Sequence, residues 1–107
     1  MRIKQGTTIP YAYQIKDEEG NPLDLTLCEK VEMTGLLDGD TALTINGQCD
    51  IVDATNGDIS YPWNSGETDV LGMYRIEFIL TYVGGKIAKV PSNAEEWLLI
   101  MSSGIPT

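Results

Sequence analysis

Apolar and polar positions alternate most regularly between Gly72 and Tyr82. Tyr74, Ile76, Phe78, Leu80 and Tyr82 fall on one side of an extended chain and Arg75, Glu77 and Thr81 on the other, with Ile79 alone out of step. A period of two is that of a half-buried strand. Wound as a helix, the same residues would gather Arg75, Phe78, Ile79 and Tyr82 and offer no clean apolar face. The segment is long enough to be the central strand of a sheet, with Tyr74, Ile76, Phe78 and Leu80 as its core face.

Shorter alternations flank it. Tyr11, Tyr13 and Ile15 alternate with Ala12, Gln14 and Lys16, which predicts a second strand. Asp17-Glu18-Glu19-Gly20-Asn21-Pro22 reads as a turn, after which Leu23 and Leu25 continue the alternation. Val31 and Met33 alternate with Glu32 and Thr34, Gly35 marks a bulge, and Asp38-Gly39-Asp40 is a tight turn. Leu43 and Ile45 form a short strand closed by Asn46-Gly47, the strongest hairpin dipeptide in the chain, from which Cys49 to Val52 returns. Asn56-Gly57 is a second such turn before Ile59-Ser60-Tyr61, and Pro62 confines that strand to an edge or ends it.

The polar connection from Asn64 to Leu71 leads into the central strand. Gly84-Gly85 turns that strand into Lys86 to Val90, with Ile87 and Val90 as its apolar members, and Pro91 stops it. Trp97, Leu99 and Met101 alternate, although Ala94 to Leu99 also has helical propensity, and a closing strand is the preferred reading. Residues 1–10 form a polar lead-in arm ending at Pro10, and residues 102–107 a flexible tail. About eight short strands with frequent turn signals and no convincing helix predict an all-β domain, an immunoglobulin-like antiparallel β-sandwich. Tyr74, two residues after Gly72, stands where a tyrosine corner would stand, its hydroxyl bonding back to the connection near Asp69 or Val70. Its other possible role is that of a large core residue alone.

The chain has 107 residues, which suits one domain with one core. Apolar residues make up 42% and charged residues 21%, so wholesale disorder is not expected. Sixteen acidic and seven basic residues give a formal charge of −9, which repels phosphate backbones and anionic membranes. Neither nucleic acid nor a membrane is expected as a partner. Met1 to Gly6 lacks the apolar core of a signal peptide, and no apolar run approaches the ~20 residues that span a bilayer, so folding in a cytoplasm is expected. Cys28 and Cys49 have no CxxC spacing and read as buried free thiols rather than a metal site or a disulfide.

The chain contains no histidine, so general acid-base chemistry lacks its usual group and a thiol nucleophile would have no imidazole partner. The carboxylates lie mostly in predicted turns rather than facing one another across a cleft, and no catalytic residue or small-molecule substrate is expected. Asp38-Gly39-Asp40 and the 17–21 segment offer oxygen ligands, but neither has the spacing of an EF-hand, and turn chemistry explains the same residues without calcium. Gly84-Gly85-Lys86 lacks the Walker spacing of a phosphate loop. No metal or cofactor is therefore expected. Trp63, Trp97, Ile9 and Pro10 are candidate core or interface anchors.

Five pieces recur in a familiar order: Lys4-Gln5-Gly6-Thr7-Thr8-Ile9-Pro10; Asp17 through Gly20-Asn21-Pro22-Leu23-Asp24-Leu25-Thr26; Asn56-Gly57 followed by Tyr61-Pro62-Trp63; Gly72-Met73-Tyr74-Arg75-Ile76-Glu77-Phe78; and Gly85-Lys86. Together they resemble the immunoglobulin-like domain that opens phage baseplate upper proteins. The chain departs from that family at Thr7, where an acid is usual, and in lacking a basic residue near the end of the 31–37 strand. The resemblance implies a non-enzymatic virion protein, synthesised in a bacterial host, that packs against itself and other tail proteins as a homo-oligomer in a symmetric array. Related roles are capsid decoration and head-tail adaptor. Readings from other classes are a carbohydrate- or receptor-binding module and, most weakly, a metal-dependent enzyme.

Overall fold

In the computed structural model the described residues are 2–40, 43–90 and 96–101. They form eight strands and no helix: β1 (Arg2–Lys4), β2 (Tyr11–Gln14), β3 (Cys28–Leu37), β4 (Leu43–Asp53), β5 (Asp58–Tyr61), β6 (Gly72–Tyr82), β7 (Ile87–Val90) and β8 (Glu96–Met101). The hydrogen-bonded order is β1-β8-β6-β3-β4-β5-β2, with β7 also on β6. The domain is all-β, a mixed sheet curled into a half-barrel.

β6 is the axis of this sheet. One edge pairs antiparallel with β3 from Tyr74↔Leu37 to Tyr82↔Cys28. The other pairs with β8 over Gly72 to Ile76 and with β7 over Phe78 to Thr81. Its alternation determines what is buried: Tyr74, Ile76, Phe78 and Leu80 are enclosed, while Arg75 is exposed and Ile79 half-buried on the opposite face. Val31 and Met33 of β3, Ile45 and Cys49 of β4, Ile59 and Tyr61 of β5, and Leu98 and Ile100 of β8 complete the inner face.

The curl comes from β4. Its first part, through Cys49, pairs with β3, and from Asp50 onward it pairs with β5. β5 carries β2, whose Tyr13 ring stacks on Phe78 of β6 at 4.9 Å between centroids. The end strand is thereby folded back over the central one.

Several expectations from the sequence are corrected here. Asn46-Gly47 is not a hairpin but the interior of β4, where Gly47 pairs with Met33. A Cβ on Gly47 would lie 2.6 Å from the Tyr61 hydroxyl oxygen, so glycine is required for the close approach of that ring and not for a turn. Asn56-Gly57 does turn the chain between β4 and β5, with Gly57 at a φ of 71°. Asp53 prepares the turn by accepting bonds from Asn56 Nδ2 (2.8 Å) and Thr55 Oγ1 (3.0 Å), which, the Asn56 bond foremost, hold its carboxyl below the usual range.

Leu23 and Leu25 are not a ladder strand. They are tethered singly, Leu23 N–H to Ile15 O and Leu25 N–H to Ala54 O, and Leu25 plugs the core from a loop. Ala88 and Val90, rather than Ile87, pack on the core from β7. β8 is a strand, but its inward residues are Leu98 and Ile100, not Trp97, Leu99 and Met101.

The lead-in is not a free arm. β1 pairs in parallel with β8 through Arg2↔Leu99, Ile3↔Ile100 and Lys4↔Met101, so the sheet is not wholly antiparallel. Chain ends carry no hairpin constraint, and a parallel pairing between them needs no local turn signal. The bulge at Gly35 is present as a register shift against β4. Pro91, Ala94 and the 102–107 tail lie outside the described residues.

The strand reading of Gly47 has a direct test. Gly47→Ala is expected to destabilise the domain by roughly 1–3 kcal/mol through overpacking against Tyr61, read as a lower denaturant midpoint. An unchanged midpoint would contradict the close packing.

Candidate functional site

The polar side chains that the fold brings together sit around the 62–71 connection. Glu67 is its centre. Its carboxylate accepts from Tyr61 Oη (2.8 and 3.0 Å), Asn64 N (2.7 Å) and Asn46 N (3.0 Å). The Asn64 to Glu67 return is a capping-box geometry in a loop, and the reach to Asn46 ties the loop to β4. Charge-assisted bonds of this kind are the stronger class, about 1.5–3 kcal/mol each. Burial first, then the bond to Glu67, pushes the Tyr61 hydroxyl well above its ordinary pKa.

The lead-in runs along the other side of this connection. Gly6 N–H donates to Thr68 O (3.0 Å), Thr68 Oγ1 to Thr7 O (3.0 Å), Gln5 Nε2 to Asp69 O (2.7 Å) and Trp63 Nε1 to Ile9 O (2.9 Å). The Trp63 ring stands edge-on to both Tyr11 and Tyr61, at 6.0 and 5.3 Å. Trp63, Ile9 and Pro10 are thus brought to one place. The indole N–H holds the lead-in while the ring packs against Tyr11 and Tyr61, and the Ile9 side chain remains 77% exposed.

Tyr74, the third residue of β6, has its ring fully buried, and its hydroxyl donates to Val70 O at 2.6 Å, four residues upstream. This is the backward bond of a tyrosine corner. Burial and the neighbouring Asp40 charge raise its pKa.

Trp97 stands elsewhere, on β8 opposite Arg75, whose guanidinium lies 5.5 Å from the ring centroid. With Leu36, Leu37 and the Asp38-Gly39-Asp40 turn they line a cleft of about 170 Å³. That is below the roughly 300 Å³ at which small-molecule sites begin. Cys28 and Cys49 are free and buried. In the 17–21 turn, Asp17 Oδ1 accepts from the backbone N–H of Glu19 and of Asn21, both at 2.9 Å, so this carboxylate closes the turn itself. No group of three or more Cys, Asp or Glu among the described residues is placed to hold a metal ion.

Exposed apolar side chains gather at both ends of β6. Val70, Leu71 and Met73 lie at its start; Val83, Leu27 and Ile87 surround the β6–β7 turn, where Val83 N–H donates to Leu27 O at 3.0 Å. Such rims are surfaces that a partner can cover.

No protein family, curated protein or solved structure matches this chain. The site therefore rests on its geometry: bonded connections, a packed aromatic cluster and apolar rims, with the small cleft at Arg75 and Trp97 lying apart from them.

The sequence alone does not single out Glu67 or Gln5, because Glu67 ties its loop to Asn46, 21 residues away, and Gln5 bonds Asp69, 64 residues away. The Asn64-x-x-Glu67 spacing was the one local signal available for the first.

Tyr74→Phe removes only the bonded hydroxyl and is expected to cost about 1 kcal/mol of stability; a denaturant midpoint equal to that of the parent would rule out a contribution from the corner. A second expectation concerns alkaline pH. Burial, with repulsion from Asp50 and Glu32, pushes the Cys49 thiol from 9.0 up to about 12. The unfolded chain loses this proton first, so stability is intact below pH 9 and falls as pH rises toward 12. Cys49→Ala is expected to flatten that fall in denaturant titrations. An equally steep fall in the variant would contradict the buried-thiol account.

Proposed function

We propose that this chain is a non-enzymatic structural protein of a bacteriophage virion, an immunoglobulin-like assembly module of the tail or baseplate. The observation that carries the reading is where four of the five resembling pieces fall. Lys4 to Pro10 is the segment bound along the 63–69 connection, and Tyr61-Pro62-Trp63 is the other half of that contact. Asn56-Gly57 makes the β4–β5 turn, Gly72 to Phe78 is the central strand with its tyrosine corner, and Gly85-Lys86 closes the β6–β7 turn. Motifs seated at the joints of a scaffold fit a protein whose task is to hold a shape.

The half-barrel also supports the finer fold reading, since β2 and β5 face β6 across a shared core as two leaves of a sandwich do. In this role many copies of a rigid acidic domain stand in a symmetric array. The rims around Val70 to Met73 and around Leu27, Val83 and Ile87 bury area against neighbouring copies and other virion proteins. The −9 charge leaves nucleic acid and anionic membrane outside the set of partners.

Light scattering over a concentration series tests this. A discrete trimeric or ring-sized mass is expected. A monomer at every concentration would overturn the self-packing module and favour a decoration or adaptor protein that binds a preformed lattice.

A further inference from the structure

We propose that residues 2–10 form an exchangeable arm, and that β1 of one copy takes its place on β8 of a second copy of this chain. The inference deepens the self-packing reading and rests on it.

The body does not need the arm for its core. Every enclosed apolar residue lies at Tyr11 or beyond, and from the arm only Ile3 packs against the cluster. Arg2 to Lys4 make a three-residue parallel pairing at the end of the sheet order, extended by Gln5 N–H to Met101 O at 2.7 Å. The rest of the arm is held by the four hydrogen bonds to the 63–69 connection, with no side chain enclosed between Gln5 and Pro10. Each such bond contributes little net, because water replaces it when it opens. Release of the arm is therefore far easier than unfolding of the body.

A second copy offers the same partners in the same geometry, so exchange conserves every contact, and what opposes it is association entropy and the repulsion between two acidic bodies. Extended, the nine residues from Arg2 to Pro10 span roughly 30 Å, enough to cross to a touching neighbour. Pro10, with its fixed φ and no amide to satisfy, is a suitable pivot.

Charge points to the same occupant. Residues 1–10 hold two of the seven basic side chains and none of the sixteen acidic ones, so the arm is +2 and the remaining residues are −11. Two such bodies repel, and a basic arm laid across the contact lowers that repulsion. Ile9, 77% exposed beside the pivot, is positioned to be covered when a neighbour's body closes on the arm.

The test uses the paired positions Lys4 and Met101. The double variant Lys4→Cys with Met101→Cys is prepared isotope-labelled and unlabelled, mixed at increasing concentration, oxidised, and digested for mass spectrometry of the peptides joined by the new disulfide. Exchange predicts mixed-isotope linked peptides rising from background toward half of the total in the oligomer fraction. Deletion of residues 1–6 is expected to yield a folded monomer. Linked peptides of a single isotope within a verified oligomer would overturn arm exchange while leaving self-assembly standing. A monomeric mass at every concentration would overturn both. Should the cysteine variant not fold, the deletion decides: an oligomer that survives loss of residues 1–6 overturns the proposal.

Discussion

Burial of one side of β6 is the constraint on which the rest of the structure depends. Tyr74, Ile76, Phe78 and Leu80 are each 1% exposed or less, and burying side chains of this size stabilises by roughly 1.5–3 kcal/mol apiece. Because side chains alternate with period two, a slip of one residue against β3 would turn all four outward. That penalty locks β6 to β3, and through them the neighbours β4, β7 and β8. Tyr13 on Phe78 extends the same dependence to β2, the far end of the sheet.

With the sheet locked, the polar chemistry is directed inward, to the joints. Glu67 fastens the 62–71 connection to β4 and β5, Tyr74 fastens its end to the head of β6, and Trp63 fastens its beginning to the lead-in. The Glu67 carboxylate accepts from two backbone amides and a phenol, and each bond holds the connection in place. Rigid joints and apolar rims are consistent with the assembly role proposed above, and the same division of labour leaves the lead-in as the part attached mainly by replaceable bonds.

Features governed by local physics were legible in the sequence. The alternation of β6 identified its buried face, Asn56-Gly57 and Gly84-Gly85 identified their turns, and the position of Tyr74 after Gly72 directed attention to the upstream carbonyl it bonds. What failed depended on distant partners. Asn46-Gly47 carries a strong turn signal, yet Gly47 is needed because Tyr61 lies against it from another strand. β1 is only three residues long, too short for its Arg-Ile-Lys alternation to stand out, and its pairing with Leu99 to Met101 explains it. Ile87 and Ala88 show that in a four-residue edge strand the apolar residue need not be the inward one. The lead-in's bonds and the Glu67 network join residues up to 64 apart, which no local window contains.

Native-state hydrogen exchange tests the central claim, a rigid β6-centred body carrying a weakly attached N-terminal arm. Amides of Val31 to Gly35 and Ile76 to Leu80 should exchange only through global unfolding, whereas the arm amides bonded to Met101 and Thr68 should open at a free energy several kcal/mol lower, roughly the sum of a few net hydrogen bonds. Protection of the Gln5 and Gly6 amides equal to that of β6 would contradict it, since the arm and the body would then be one cooperative unit.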